Sequence, residues 1–183
     1  MQYIDRMLDS LSIRENYRTS STSSSTDDDS VLDHGIDAKN LHTYLAKVLY
    51  NRRTKMNPLW NVILVAGLDG ASKPFLASVD LLGTTFSSPT LASGFGAHLA
   101  QPLLRRRVPD EAASETLTKE DAVALVQECM KVLFYRDARS MDKYSIAVVE
   151  KGANEVDLKE DQKLENQSWA FAEGIRGYGT QTV

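Results

Sequence analysis

The chain has 183 residues, 25 of them acidic and 21 basic, for a net charge of −4. That is one domain's length with room for a hydrophobic core, and the acidic balance argues against phosphate-backbone binding as the main task. One cysteine, Cys129, excludes an internal disulfide and a cysteine-rich zinc site, and no apolar run nears the roughly 20 residues that span a bilayer. Composition therefore predicts a soluble chain of a reducing compartment, cytosolic or nuclear.

Ile4, Met7, Leu8 and Leu11 recur at helical spacing, so a first helix with one apolar face starts at Met1. No basic opening followed by an apolar stretch suggests a secretory signal, and no capping residue precedes the helix. Every residue from Thr19 to Ser30 is Ser, Thr or Asp. Nothing apolar offsets the entropy of ordering there, so 19–30 is expected to be a disordered loop. Ser24, Ser25 and Thr26 each have an aspartate three residues on, the pattern acidophilic kinases favour. They are candidate phosphorylation sites, with a plain solvated loop as the alternative.

A second helix is expected from Ala38 to Met56, burying Leu41, Tyr44, Leu45, Val48 and Leu49 and ending at Asn57-Pro58. The run Trp60 to Gly67 reads as a strand buried on both faces. Asp69-Gly70 turns it into a second strand, Pro74 to Leu82, while Gly83 to Pro89 reads as irregular. One helix follows from Gly96 to Arg106, with Leu99, Leu103 and Leu104 inward and Pro102 as a complication. Arg105-Arg106-Arg107 is read as charge compensation at that helix's C-terminus and a surface patch, over nucleic-acid binding.

Thr118 to Asp121 resembles a capping box, opening a helix to Tyr135 with Ala122, Val123, Leu125, Val126, Cys129, Met130 and Leu133 on its apolar face. Cys129 is therefore expected to be a buried, inert thiol. Short strands are expected at Tyr144 to Val149 and near Glu155 to Leu158. His34, His42 and His98 lack the helical pairing of a metal site and read as surface or packing residues. Four strands are too few to cover four amphipathic helices in an α/β layered arrangement. A sheet is missing, or another chain supplies it.

This order, with Asn57-Pro58-Leu59-Trp60-Asn61, the stretch Leu82 to His98, Tyr135-Arg136-Asp137-Ala138-Arg139-Ser140 and Ile175 to Gln181, resembles the proteasome beta subunit family. The resemblance implies a four-layer αββα sandwich of the N-terminal-nucleophile hydrolase type, an α+β fold, with the whole chain as one domain. In that family several strands precede the first helix. The resemblance thus implies a chain incomplete at its N-terminus, which would account for the strand shortage.

Active members use an N-terminal threonine as both nucleophile and amine base, with lysine and aspartate on early strands. No residue here matches that region, so the catalytic, cofactor and metal assignments are none. Active members usually carry Gly-Ser-Gly where this chain has Gly94-Phe95-Gly96. Their Arg-Asp-Ala-x-Ser-Gly-Gly meets Asp137 and Ser140 here, but continues into Met141-Asp142. Phe95, Asp137 and Ser140 are thus degenerate active-site positions, with a structural role expected for Asp137.

The implied function is a non-catalytic structural subunit of the core particle, supporting ring assembly and ubiquitin-dependent degradation in cytoplasm and nucleus. Its partners would be beta subunits of the same and the opposite ring and alpha-ring subunits, with neither nucleic acid nor membrane. Residues 172–183 would form a C-terminal extension. Trp169, Phe171, Gly177, Tyr178, Gly179, Thr180 and Gln181 are the subunit-contact candidates, with a frayed tail as the alternative. The rival readings are a competent threonine protease of the same fold and a free-standing adaptor.

Overall fold

The computed structural model describes residues 5–11, 13, 37–152, 156–165 and 167–170. The Ser/Thr/Asp stretch at 19–30 and the C-terminal extension at 172–183 lie outside them. The chain divides into two compact units, one drawn from Met1–Leu91 and Val149–Asn154, the other from Ala92–Val148 and Glu155–Val183.

In the first unit, residues 5–11 are helical (α1), and α2 spans Ala38–Thr54. Asp37 starts α2 with extended backbone, and its carboxylate accepts the Asn40 N–H, satisfying one of the donors a helix start leaves orphaned. The other carboxylate oxygen accepts the Gly70 N–H at 3.2 Å, so one side chain ties the helix start to a strand turn. Arg52 and Arg53 occupy the last turn of α2, where positive charge offsets the dipole.

Strands β1 (Ile63–Leu68), β2 (Pro74–Val79) and β3 (Thr85–Ser87) form an antiparallel sheet in that order. Both hairpins turn on an aspartate. Asp69 Oδ1 accepts the N–H groups of Ala71 and Lys73, both at 2.9 Å, and Asp80 Oδ1 accepts those of Leu82 and Thr84 at 2.8 and 2.9 Å. These side chains fold the backbone over themselves in the way short acidic residues favour at turns. The Lys73 N–H, ahead of the other contributions, holds the Asp69 carboxyl below its usual range. In the second turn Gly83 has φ 79°, and a Cβ there would sit 2.7 Å from Tyr50 Cβ, so α2 passes too close for a side chain.

The register pairs Ile63 with Val79, Val65 with Ala77 and Gly67 with Phe75. With period two these residues share one face. On that side Val65 and Val79 join Leu45 and Leu49 of α2 in the core, flanked by Met7, Leu41, Ile63 and Phe75. His42 is buried among them, its Nε2 3.0 Å from the Ser78 carbonyl oxygen and its ring edge-on to Phe75. The opposite face is the correction to the sequence reading. The strand expected at Trp60 to Gly67 to be buried on both faces begins at Ile63 and covers only one. Leu64 is 37 % exposed, Phe86 55 % and the preceding Val62 47 %. The irregular stretch expected after Gly83 contains β3, whose three residues are too few to show a period.

The second unit contains α3 (Gly96–Leu99), α4 (Gln101–Arg107), α5 (Glu111–Glu115), α6 (Lys119–Arg136), β4 (Lys143–Val148) and β5 (Asp157–Lys163). The single helix expected from Gly96 to Arg106 is divided at Ala100. Pro102 has no N–H for the preceding turn and sits in the first turn of α4, where none is needed. Arg105, Arg106 and Arg107 fill the last turn of α4. The overlooked α5 is capped by Asp110, which accepts the Ala113 N–H at 2.8 Å.

At the start of α6, Thr118 Oγ1 accepts the Asp121 N–H and donates to the Asp121 carboxylate at 2.8 Å. Leu125 and Cys129 are the buried residues of this helix. Strands β4 and β5 pair antiparallel with a bulge between Tyr144 and Ile146, and β5 runs to Lys163, well past the expected Leu158. The charges of Lys159 to Lys163 give no apolar alternation, which is why the sequence concealed it. No described helix is long and apolar enough to cross a membrane.

Leu49→Ala should cost about 2–5 kcal/mol, because a fully buried leucine leaves a cavity that helix and sheet close only partly. Asp37→Ala should cost about 1 kcal/mol and Asp37→Asn less, since asparagine keeps the capping acceptor. Urea unfolding of each variant checks both. Asp69, with its lowered folded pKa, adds stability that is present above the ordinary carboxylate range and lost as pH falls through the folded value. Asp69→Asn should therefore flatten the acid limb of the stability–pH curve.

Candidate functional site

Phe95, Asp137 and Ser140, the positions expected to be degenerate, fall in two turns of the second unit. Asp137 is the C-cap of α6, its backbone N–H donating to the Leu133 carbonyl at 2.7 Å. Its carboxylate accepts the Arg139 N–H at 3.0 Å. The Ser140 hydroxyl lies 3.1 Å from the Leu133 carbonyl oxygen and 2.8 Å from that of Asp137, and its N–H donates to the same Asp137 oxygen. Asp137 and Ser140 thus close one turn that satisfies carbonyls at the helix end. The Ser140 hydroxyl thus acts as a donor to peptide oxygens at the end of α6.

Phe95 sits in the turn before α3, after Gly94 with φ 60°, a left-handed conformation that glycine adopts without strain. The Phe95 ring is 60 % exposed. The next residue, Gly96, is buried, and a Cβ there would make ordinary contact with Ala92 at 3.5 Å.

Of the contact candidates, Trp169 is described. Its ring stands edge-on to Tyr135, with centroids 5.0 Å apart and planes at 86°, and lies 6.0 Å from Phe134. The sequence places Tyr135 at the end of a helix and within a motif, and gives Phe134 no role. Two adjacent aromatic residues at a helix end, followed downstream by a tryptophan, were the available signal. Phe171, Gly177, Tyr178, Gly179, Thr180 and Gln181 lie outside the described residues, as do Ser24, Ser25 and Thr26.

The single cysteine is committed to packing. Burial, with a smaller contribution from Glu128, pushes the Cys129 thiol up, and its Sγ lies 3.9 Å from the Ala100 carbonyl oxygen. Among the described residues no group of three or more His, Cys, Asp or Glu is placed to hold a metal. The outer face of the first sheet is apolar, with Val62, Leu64 and Phe86 open to solvent.

A family model described as "Proteasome subunit" matches residues 31–149. The chain is 45 % identical over its whole length to the probable proteasome subunit beta type-7 of Schizosaccharomyces pombe, and 42 % identical to the proteasome subunit beta type-7 of Saccharomyces cerevisiae. It covers 64 % and 65 % of those two proteins. It is 45 % identical to the proteasome subunit beta type-4 of Xenopus laevis over 79 % of this chain and 57 % of that protein. The chain thus spans less than two thirds of the length of these curated relatives.

Buried and with its pKa raised, Cys129 should react with a small disulfide reagent at least about tenfold more slowly than a free thiol at neutral pH. Full reactivity should return in denaturant. Fast labelling of the folded protein would contradict the geometry.

Proposed function

The chain belongs to the proteasome subunit family, and from that premise we propose that it is a non-catalytic, structural subunit of the proteasome core particle. Its place is that of the relatives named beta type-4 and beta type-7. The observation that carries the non-catalytic reading is the turn after α6. There the Asp137 carboxylate and the Ser140 hydroxyl are spent on peptide groups, and Phe95 stands where active relatives usually carry serine.

The work left to such a subunit is to fill a position. A ring built from heterologous contacts closes only when every position is occupied, so a subunit without chemistry is still required. On this reading the partners are beta subunits of the same and the opposite ring and subunits of the alpha ring, in cytoplasm and nucleus. The contribution to ubiquitin-dependent degradation is indirect, through assembly of the chamber in which other subunits cut. Trp169 and the residues beyond it are the proposed contact arm.

The fold proposed for the assembled subunit is the four-layer αββα sandwich. The first unit supports it as one helix layer on one sheet, with the second sheet face apolar and uncovered. A face carrying Val62, Leu64, Ala66 and Phe86 is what an inner sheet layer requires.

A tagged form of the chain expressed in a eukaryotic cell should elute by size exclusion with a very large multi-subunit particle. Elution only as a small species would favour an adaptor instead. The chain should form no adduct with a threonine-directed electrophile under conditions that label catalytic subunits of the same particle; an adduct would favour the protease reading. Leu64→Asp should reduce incorporation into the particle by about tenfold or more, because assembly would bury an unpaired charge.

A further inference from the structure

The hydroxyl of Tyr135 meets both backbone groups of a single residue 33 positions away. It accepts the Ser168 N–H at 2.7 Å and donates to the Ser168 carbonyl at 2.8 Å. A phenolic hydroxyl is suited to this because it is donor and acceptor at once, carried on a rigid ring long enough to reach a neighbouring strand of chain. The contact does not stand alone. Trp169 packs edge-on against the same ring, and Phe134 stands 5.5 Å from Tyr135 and 6.0 Å from Trp169, all at inclined angles that aromatic quadrupoles favour.

The chain on either side of Ser168 is held in sequence. The Leu164 N–H donates to the Asp142 carbonyl at 2.8 Å, and Leu164 is buried. Gln167 Nε2 donates to the Leu164 carbonyl at 2.9 Å, and the Ala170 N–H donates to the Ser168 hydroxyl at 3.2 Å. At 164–165 and 167–170, then, the path off β5 is set by a series of contacts, among them the two that the Tyr135 hydroxyl makes from the end of helix α6.

We propose that Tyr135 is a positioning residue, a clasp that fixes residues 167–170 against the C-terminal end of α6. Phe134 and Trp169 pack around the ring that makes the two hydrogen bonds. A segment already fixed in one path loses less freedom when something binds beyond it, which is the value of such a clasp. That the segment beyond engages other subunits rests on the reading given under Proposed function; the clasp itself does not.

Hydrogen exchange read by mass spectrometry over peptides covering 164–170 tests it, on the full chain purified with whatever subunits accompany it. Tyr135→Phe keeps the ring and removes both bonds, and should speed exchange at Ser168 about tenfold. Trp169→Ala lies outside α6, so the helix stays intact, and it should speed exchange in the same peptides. Tyr44→Phe, on the exposed side of α2, should change nothing there. Exchange over 164–170 within twofold of the parent in both Tyr135→Phe and Trp169→Ala would overturn the clasp. In the same preparations, loss of paired rings in favour of half-particles would support the contact-arm reading. Faster exchange with paired rings intact would support the clasp and count against that arm.

Discussion

Helix α2 laid across a three-stranded sheet is the interaction on which the first unit depends. Leu45 and Leu49 enter from the helix, Val65 and Val79 from two paired strands, and the register of the hairpin sets which residues meet them. Shifting β1 by one residue against β2 would bring Leu64 and Ala66 inward and expel Val65. Asp69 and Asp80 prevent the slip by closing each hairpin around a carboxylate, and Asp37 joins the helix start to the first of those turns. Polar side chains at the edge thus keep an apolar contact in register at the centre.

The same sheet explains why assembly is the natural reading of function. Its helix-facing side is complete, whereas the other side is apolar and open. Exposed apolar sheet faces of this kind are unusual in proteins that act alone, and they are the ordinary state of an inner layer. The second unit shows the complementary feature. The Asp137 carboxylate and the Ser140 hydroxyl bond peptide groups at the end of α6, and the Tyr135 hydroxyl bonds both backbone groups of Ser168.

Much of this was legible in the residues. The long helices declared themselves through apolar spacing, through the Thr118 cap and through Asn57-Pro58, which ends the second of them; the Asp37 cap was seen only in the structure. The resemblance to the proteasome family rested on motifs that the family model and the relatives support. What was not legible had physical causes. Strand β3 and helix α5 are too short to show a period, and β5 is charged along much of its length. Pro102 signalled a complication without saying that the helix would divide at Ala100. The burial of His42 depends on a carbonyl 36 residues away, and the pairing of Tyr135 with Ser168 on one 33 away.

By itself, then, the sequence determined the types of the long elements, the family, and the poor match to a catalytic pattern, because spacing, caps and motif chemistry are local properties written in consecutive residues. Only the tertiary structure decided which face of an apolar strand is covered, where Asp137 and Ser140 spend their hydrogen bonds, and that Tyr135 grips the chain ahead of Trp169. Those outcomes depend on distances between residues far apart in the chain, and no local pattern encodes a distance.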